Sequence, residues 1–580
     1  MPKSTTHLFL LTVALSVSAS LASLCPAVTD PTQQAFVTSA KAVLDGNWVT
    51  SMNSTLPSPN LYPHQWSWDS AFIALGYSHY DTHKAIAETD ALFRAQWRNG
   101  LLPHIVFNPN ADESYFPGPA FWKIHTSPAH PLNSQTSGIV QPPVHAIASL
   151  AIYNNAKSAQ QKKLAMHHLQ SVYPKLVNWH NYLYNERDPL KENLVYIRHM
   201  WESGMDNSPA WDDALNAIQL TPDQIPQYTR VDKGKVGSHH ERPNSHFYDR
   251  AVYLIKVFYD NSYDEQAIFK SSPFLIQDVL FNSILARAGE ALADIAHILG
   301  KKQAAVHHRE QSAKTAAAIS SKLYHAEDGF YYDYDMVAKK LIRTKISGGL
   351  VALYGAKVDS THLNSIVNHL YDPAFLGPDL SSYTIPSVAR DDPGYTNTTY
   401  WKGPAWININ YLVRDGLLRN GNGNEDAVKI AKFLKTRSMS MLGAAGFYEY
   451  FNPISGSPHG GHQFSWSAAL TIDWMCSTSS ETSPIGFVSS LITNMVRIRI
   501  SEWGYVLAAV LLFGMASAAY YYTWISGKAK TCALDSFSNG NGENGSDKAR
   551  DHTDSRRAAT LAAHLRHRRR STSMHPSRAD

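Results

Sequence analysis

Apolar residues recur every three to four positions along most of this chain, and almost nowhere every two. Leu280, Ile284, Ala288 and Leu292 set the pattern, one stripe along a single helical face. The same period predicts helices over 33–44, 82–95, 144–152, 159–184, 275–299, 302–323, 363–371, 406–419 and 425–438. Period-two alternation is confined to short pieces such as 329–335. Paired helices joined by connections rich in Pro, Gly, Trp and Tyr suggest an all-α fold, a helical barrel or toroid with its functional loops gathered at one rim. Length does not decide between one large domain and several, since 580 residues suit either.

The two ends read differently from the body. Lys3 precedes an apolar stretch, Leu8 to Val17, and then small residues, the layout of a signal peptide over 1–23. Tyr505 to Ile525 contains no charged residue; as a helix it measures roughly 30 Å, a bilayer core. Trp503 and Tyr505 flank one side, and Tyr520, Tyr521, Tyr522 and Trp524 the other, as interfacial belts do. A single transmembrane helix is therefore expected over 503–526, with a juxtamembrane stalk over 478–502 and a disordered basic tail over 527–580. The formal charge is +4 overall. The segment after Ile525 holds 11 Lys+Arg against 6 Asp+Glu, so the basicity belongs to the tail. Nothing in the body suggests nucleic acid as a partner. The expected topology is a single-pass type I membrane protein, its domain over 24–477 lumenal or extracellular and one lipid bilayer its partner.

Only Cys25, Cys476 and Cys532 occur. The first two bracket the body, and a disulfide between them would tie its ends together in an oxidising compartment. Cys532, just inside the expected membrane, is a palmitoylation candidate. Asn53-Ser-Thr and Asn397-Thr-Thr are glycosylation sequons; Asn544-Gly-Ser lies on the wrong side.

Two short segments carry the chemistry: Trp201-Glu-Ser-Gly-Met-Asp206-Asn-Ser-Pro209 and Phe447-Tyr-Glu449-Tyr-Phe-Asn-Pro453. Each sets a carboxylic acid among aromatic and turn-forming residues. Glycoside hydrolysis needs such a pair: one acid protonates the leaving oxygen, the other activates water or attacks the sugar, and flat rings stack on the sugar. The plainer alternative makes Asp206 a helix cap and Glu449 half of a surface ion pair. Glu202 is expected at the same rim. Trp66 and Trp68 crowd beside Asp69 in one loop, where Asp69 also suits the cap of a helix starting at Ser70. His239-His240-Glu241 with His246 fits no standard metal spacing, and the Gly-rich stretch 419–424 lacks the Lys-Ser/Thr ending of a phosphate loop. No metal and no cofactor are expected.

The run His64-Gln-Trp-Ser-Trp68-Asp69-Ser resembles glycoside hydrolase family 63. So do Leu102-Pro-His104, Gln141-Pro-Pro, Glu202-Ser-Gly-Met-Asp206-Asn-Ser-Pro, Arg242-Pro, Tyr248-Asp-Arg250, Tyr400-Trp-Lys-Gly-Pro404 and Glu449-Tyr-Phe-Asn-Pro with Gln463-Phe-Ser-Trp466. The nearest branch is the mannosylglycerate-hydrolase-like one, and the match runs in order over about 30–476. The resemblance implies an (α/α)6 barrel and an inverting exo-α-glycosidase of short α-glucosides or α-mannosides, with Asp206 as general acid and Glu449 as general base. It also implies that Trp68, Asp69, His104, Gln141, Trp201, Tyr400, Trp401 and Gln463 line the first sugar subsite. Trp66, Gly403 and Trp466 join them as expected substrate-binding residues. One departure stands out: the family's Trp-Arg-Gly-Pro reads Trp401-Lys402-Gly403-Pro404, which puts an acidic aglycone in doubt if that arginine contacts it. Two rival readings are an N-glycan-processing α-glucosidase of the secretory pathway and a catalytically dead membrane lectin. Chain length counts against the first, and retention of both Asp206 and Glu449 against the second.

Overall fold

The computed structural model describes residues 25, 28, 30–111, 115–231 and 243–477. The expected leader, stalk, membrane span and tail, Cys532 and the triplet His239-His240-Glu241 lie outside them. Among the described residues no helix is long and apolar enough to cross a membrane, and no group of side chains is set to hold a metal ion.

Among the described residues, twelve helices alternate between two concentric layers. They are α1 (Pro31–Gly46), α2 (Ser67–Ser78), α3 (Thr82–Arg94), α4 (His145–Asn155), α5 (Ala159–Glu186) and α6 (Val279–Ile298). The rest are α7 (Lys302–Ala318), α8 (Ala352–Gly355), α9 (Ser360–Tyr371), α10 (Ile407–Asn420), α11 (Glu425–Ala445) and α12 (Ser465–Cys476). The even-numbered members form a closed inner ring: α2 packs on α4, and so on through α6, α8 and α10 to α12, which returns to α2. Outside it, α1 covers α12, α3 covers α2, α5 covers α4, α7 covers α6 and α11 covers α10. The result is an (α/α) toroid.

Side-chain caps fix several of these helix starts. Asp30, Asp81, Asp278 and Asn424 each accept a backbone N–H from the third residue beyond, and Ser158 with Gln161 makes a reciprocal capping box. Asp278 also explains why α6 starts at Val279 rather than at the expected 275: Ile276–Gln277 pair instead with Tyr334–Asp335. The Gly-rich stretch 419–424 is the turn from α10 to α11.

Three of the longer helices lie outside the ranges the period predicts, α2 being hinted at only by the Asp69 cap; the four-residue α8 lies outside them too. All twelve residues of α2 are buried, and ten of the twelve in α12. A helix wetted on no side has no polar face, so its sequence shows no period. The third, Ser245–Asp260, lies in the long excursion between α5 and α6.

Cys25 and Cys476 are bonded, their Cα atoms 4.7 Å apart across 451 positions of sequence. The bond ties the chain before α1 to the end of α12, so it locks the ring at its seam. Removing it with paired serines is expected to lower unfolding stability by about 2–5 kcal/mol, read as a fall in the denaturant midpoint of the non-reduced protein.

Candidate active site

Loops from four places in the chain meet over one end of the inner ring, around a cleft of about 620 Å³. The first runs into α2. Gln65–Trp66 pairs with Ile105–Val106, and the Ser67 N–H donates to the His104 carbonyl at 2.9 Å. The Trp68 N–H donates to Gln141 Oε1 at 3.1 Å. The helix therefore opens at Ser67, and Asp69 sits inside its first turn rather than capping a start at Ser70. Trp68 stands edge-on to Trp466, ring centres 5.4 Å apart.

The second loop carries Asp206. His199 accepts the Trp201 N–H, a short 3-10 turn follows over Met200–Ser203, and Gly204 reverses the chain at φ 75°. A Cβ on Gly204 would lie 2.5 Å from the Trp68 ring, so only glycine lets that indole pack here. Asp206 then emerges half-buried. Glu202 does not join it at the rim, contrary to expectation. It is buried without exposure, accepting the backbone N–H of Val140 at 3.1 Å and of Arg198 at 2.7 Å. The Arg187 guanidinium grips it at 2.8 and 3.0 Å. Burial alone pushes the Glu202 carboxyl up, but the Arg187 and Arg198 charges outweigh it and hold the group below its usual range.

The third loop, 396–406, is pinned to the second. Trp401 donates its N–H to Asn207 Oδ1 at 2.8 Å, and Trp406 donates its indole N–H to the Tyr400 carbonyl at 3.1 Å. Trp401 and Trp406 stack 3.7 Å apart. Tyr400 takes a left-handed backbone, φ 44°, an unfavourable conformation for a bulky side chain that the two pinned neighbours hold in place.

The fourth element is the hairpin Tyr448–Phe451 with Pro458–His462. Glu449 lies on its first strand, 2 % exposed, and Oε2 accepts the Gly461 N–H at 2.8 Å. A Cβ on Gly460 would fall 2.5 Å from that oxygen, so the second strand approaches Glu449 only because glycine stands there.

Asp206, Glu449, Trp66, Trp68, Asp69, His104, Gln141, Trp201, Tyr400, Trp401 and Trp466 all line the cleft. Two expected contributors do not. Gly403 sits behind the wall, its N–H donating to Ser387 Oγ at 2.8 Å. Gln463 is exposed, in a left-handed conformation with its carbonyl held by Asn47 at 2.7 Å. Lys402 lies outside the cleft wall too, paired with Asp212 at 3.0 Å. Sequence reasoning missed Tyr62, Gly204, Tyr248, Trp406 and Phe464, among others. Tyr62 had a signal, four residues ahead of Trp66 in the same aromatic loop.

Three carboxyls thus converge. Glu449 Oε1 accepts the Tyr62 hydroxyl at 2.7 Å, that hydroxyl is 3.5 Å from the Tyr400 hydroxyl, and Tyr400 donates to Asp206 Oδ2 at 3.3 Å. Laid end to end, these three links bound the Oε1 to Oδ2 separation at 9.5 Å. Burial pushes the Asp69 carboxyl well above the usual carboxylate range, and the charges of Glu449 and then Asp206 push it further. Burial also pushes the His104 imidazole down to about 3, helped by His199, so that ring is neutral.

A helical toroid with carboxyls converging in an aromatic-walled cleft defines the class: an O-glycosyl hydrolase. Residues 62–467 match the family model of the mannosylglycerate hydrolase MGH1-like glycoside hydrolase domain. The chain is 45% identical over 443 residues to a mannosylglycerate hydrolase of Rubrobacter radiotolerans, covering 76% of this chain and 97% of that protein. It is 34% identical over 449 residues to a glucosylglycerate hydrolase of Mycolicibacterium hassiacum, covering 77% and 98%. The crystal structure of a GH63 mannosylglycerate hydrolase from Thermus thermophilus in complex with Tris superposes with a TM-score of 0.68 at 36% identity, over 76% of this chain and 99% of that one. The chain belongs to glycoside hydrolase family 63, in its mannosylglycerate-hydrolase-like branch.

Proposed function

We propose that the protein is an inverting exo-α-glycosidase hydrolysing short α-mannosides or α-glucosides of the mannosylglycerate and glucosylglycerate type. Asp206 is its general acid and Glu449 its general base. The observation that carries this reading is the chain of contacts from Glu449 through Tyr62 and Tyr400 to Asp206. It joins two acids 243 positions apart in sequence across a gap of at most 9.5 Å. That bound admits the roughly 6.5–9.5 Å of an inverting pair, which leaves room for the attacking water. Asp69 and Gln141 suit sugar hydroxyls, while Trp68, Trp401 and Trp466 suit the C–H faces. Lys402 no longer weighs against an acidic aglycone, because its ammonium serves Asp212 and not the cleft.

The proposal extends to placement. The charge-free run from Tyr505 to Ile525 and a disulfide suited to an oxidising compartment support a type I protein with this domain lumenal or extracellular. On that reading Asn53, exposed in the turn after Trp48–Val49, and the half-buried Asn397 are glycosylation sites.

The test offers the purified full-length protein a panel of α-glucosyl and α-mannosyl glycosides, including both glycerates, and follows the first anomer released by NMR. The β-anomer is expected from at least one member. First release of the α-anomer contradicts inversion. Tight sugar binding with no turnover, unaltered in Glu449→Gln, supports a lectin instead.

A further inference from the structure

An inverting glycosidase ends each turnover with its protons in the wrong places. The general base has gained one from water, and the general acid has lost one to the leaving group. Neither product carries the surplus proton away, so the next turnover requires a proton to travel from base to acid. Taking the roles of Asp206 and Glu449 from the proposed function, the geometry points to a built-in return path. The hydroxyls of Tyr62 and Tyr400 relay the proton from Glu449 Oε1 to Asp206 Oδ2.

Three observations carry the relay. Glu449 is 2 % exposed, so a proton delivered to it has little direct contact with bulk water. Its Oε2 accepts the Gly461 N–H at 2.8 Å, which turns Oε1 toward the tyrosine pair. Oε1 is the oxygen that Tyr62 touches at 2.7 Å. From there the hydroxyl of Tyr62 lies 3.5 Å from that of Tyr400, with either oxygen able to donate, and Tyr400 reaches Asp206 Oδ2 at 3.3 Å.

Each phenol has one proton to give and lone pairs to accept another. In the return step the Oε1–H bond of Glu449 breaks and a new O–H bond forms on Tyr62. The original Tyr62 proton passes to Tyr400, and the Tyr400 proton to Asp206 Oδ2. Three O–H bonds break and three form, both phenols end neutral, and Asp206 is again an acid facing a Glu449 carboxylate. No oxidant, reductant or co-reactant enters. Before the transfer the Tyr62 hydroxyl turns from Glu449 toward Tyr400; after it, the new Tyr62 proton already faces Glu449 and only the Tyr400 hydroxyl rotates back toward Asp206.

A relay in series makes two predictions that a purely sugar-binding role for these tyrosines does not. Once one link is cut, cutting the other removes no further transfer. And a small diffusible acid replaces the missing link, whereas it cannot replace a lost substrate contact. The experiment compares kcat of the full-length wild type, Tyr62→Phe, Tyr400→Phe and the double variant at saturating substrate. Imidazole buffer is raised at fixed pH and ionic strength, and circular dichroism confirms the fold of each variant.

Each single variant is expected to lose about 100-fold in kcat, the lower end of the usual range for positioned proton transfer. The double variant should match the slower single variant within about threefold, since residues acting as one unit are not additive. Imidazole should restore kcat several-fold in all three variants and leave the wild type unchanged. Losses that multiply in the double variant, or variants indifferent to imidazole, overturn the relay. If the anomer assay on the same wild-type preparation shows inversion, the proposed function survives that result. Retention overturns both, because a retaining cycle restores its own acid in its second step.

Discussion

Asparagine in place of Asp206 is expected to lower kcat on alkyl α-glycosides by about 10³-fold, yet by no more than about tenfold on the matching α-glycosyl fluorides. The reason is chemical. An alkoxide is a poor leaving group and departs only when a proton arrives with bond cleavage; fluoride departs without one. Asparagine keeps the size of the side chain and its place in the loop, so Asn207 still accepts the Trp401 N–H and the third loop stays put. What disappears is the transferable proton. KM should move only a few-fold, because the loss falls on the transition state rather than on ground-state binding. Equal losses on both substrate types would remove Asp206 from the acid role. A fluoride loss as deep as the alkyl loss would point to Asp206 as the group serving water.

Glu202→Ala is expected to lower unfolding stability by about 3–5 kcal/mol. Below the acid loop, Arg187 and Arg198 face Glu202 and Glu265, with side-chain exposures of 0 %, 0 %, 0 % and 3 %. Arg187 Nε lies 3.0 Å from Glu265, and Arg198 Nη2 lies 3.1 Å from it. The four charges balance. Taking away Glu202 leaves two guanidiniums sharing one carboxylate where water cannot reach, and strips the acceptor from the N–H groups of Val140 and Arg198. Chemical unfolding of the purified variant reads the loss directly. A change below about 1 kcal/mol would show that the cluster stays solvated enough to tolerate imbalance. The same substitution should disturb Gln141, which follows Val140 and holds the first turn of α2.

How much of this was legible in the residues depends on where each lies. Asp206 and Glu449 stand out because each sits in a compact aromatic and turn-rich segment, and those segments keep their meaning in isolation. Outer helices such as α5 and α11 were legible because half of each is wet. The inner helices α2 and α12 were not, since burial on every side erases the contrast that a period measures. Ser245–Asp260 is a different failure: it has an apolar face and the ordinary cap Asn244, but its first turn, with Tyr248 and Arg250, reads as motif rather than as helix. Glu202 was misplaced because it lies only four positions from Asp206. The intervening 3-10 turn and Gly204 send one side chain down and the other up, and no spacing rule contains that reversal. Gln463 followed the opposite path, placed in the cleft by resemblance and found exposed. The fold class and the two acids could be read along the chain. The walls around them, Tyr62 and Trp406 among them, are set by how distant loops pin one another.

The order in which the inner helices are synthesised has a consequence for biogenesis. α2 emerges from the ribosome early, yet one of its flanks is covered only by α12, roughly 400 residues later. At about 5–20 residues per second that flank waits some 20–80 s for its partner. Throughout that interval a nascent chain already bearing Asp206 presents a sticky, unsealed crescent to its surroundings. Such a protein should depend on holdase chaperones during translation, and a chain stopped short of Ser465 should be degraded rather than accumulate as a half-active fragment.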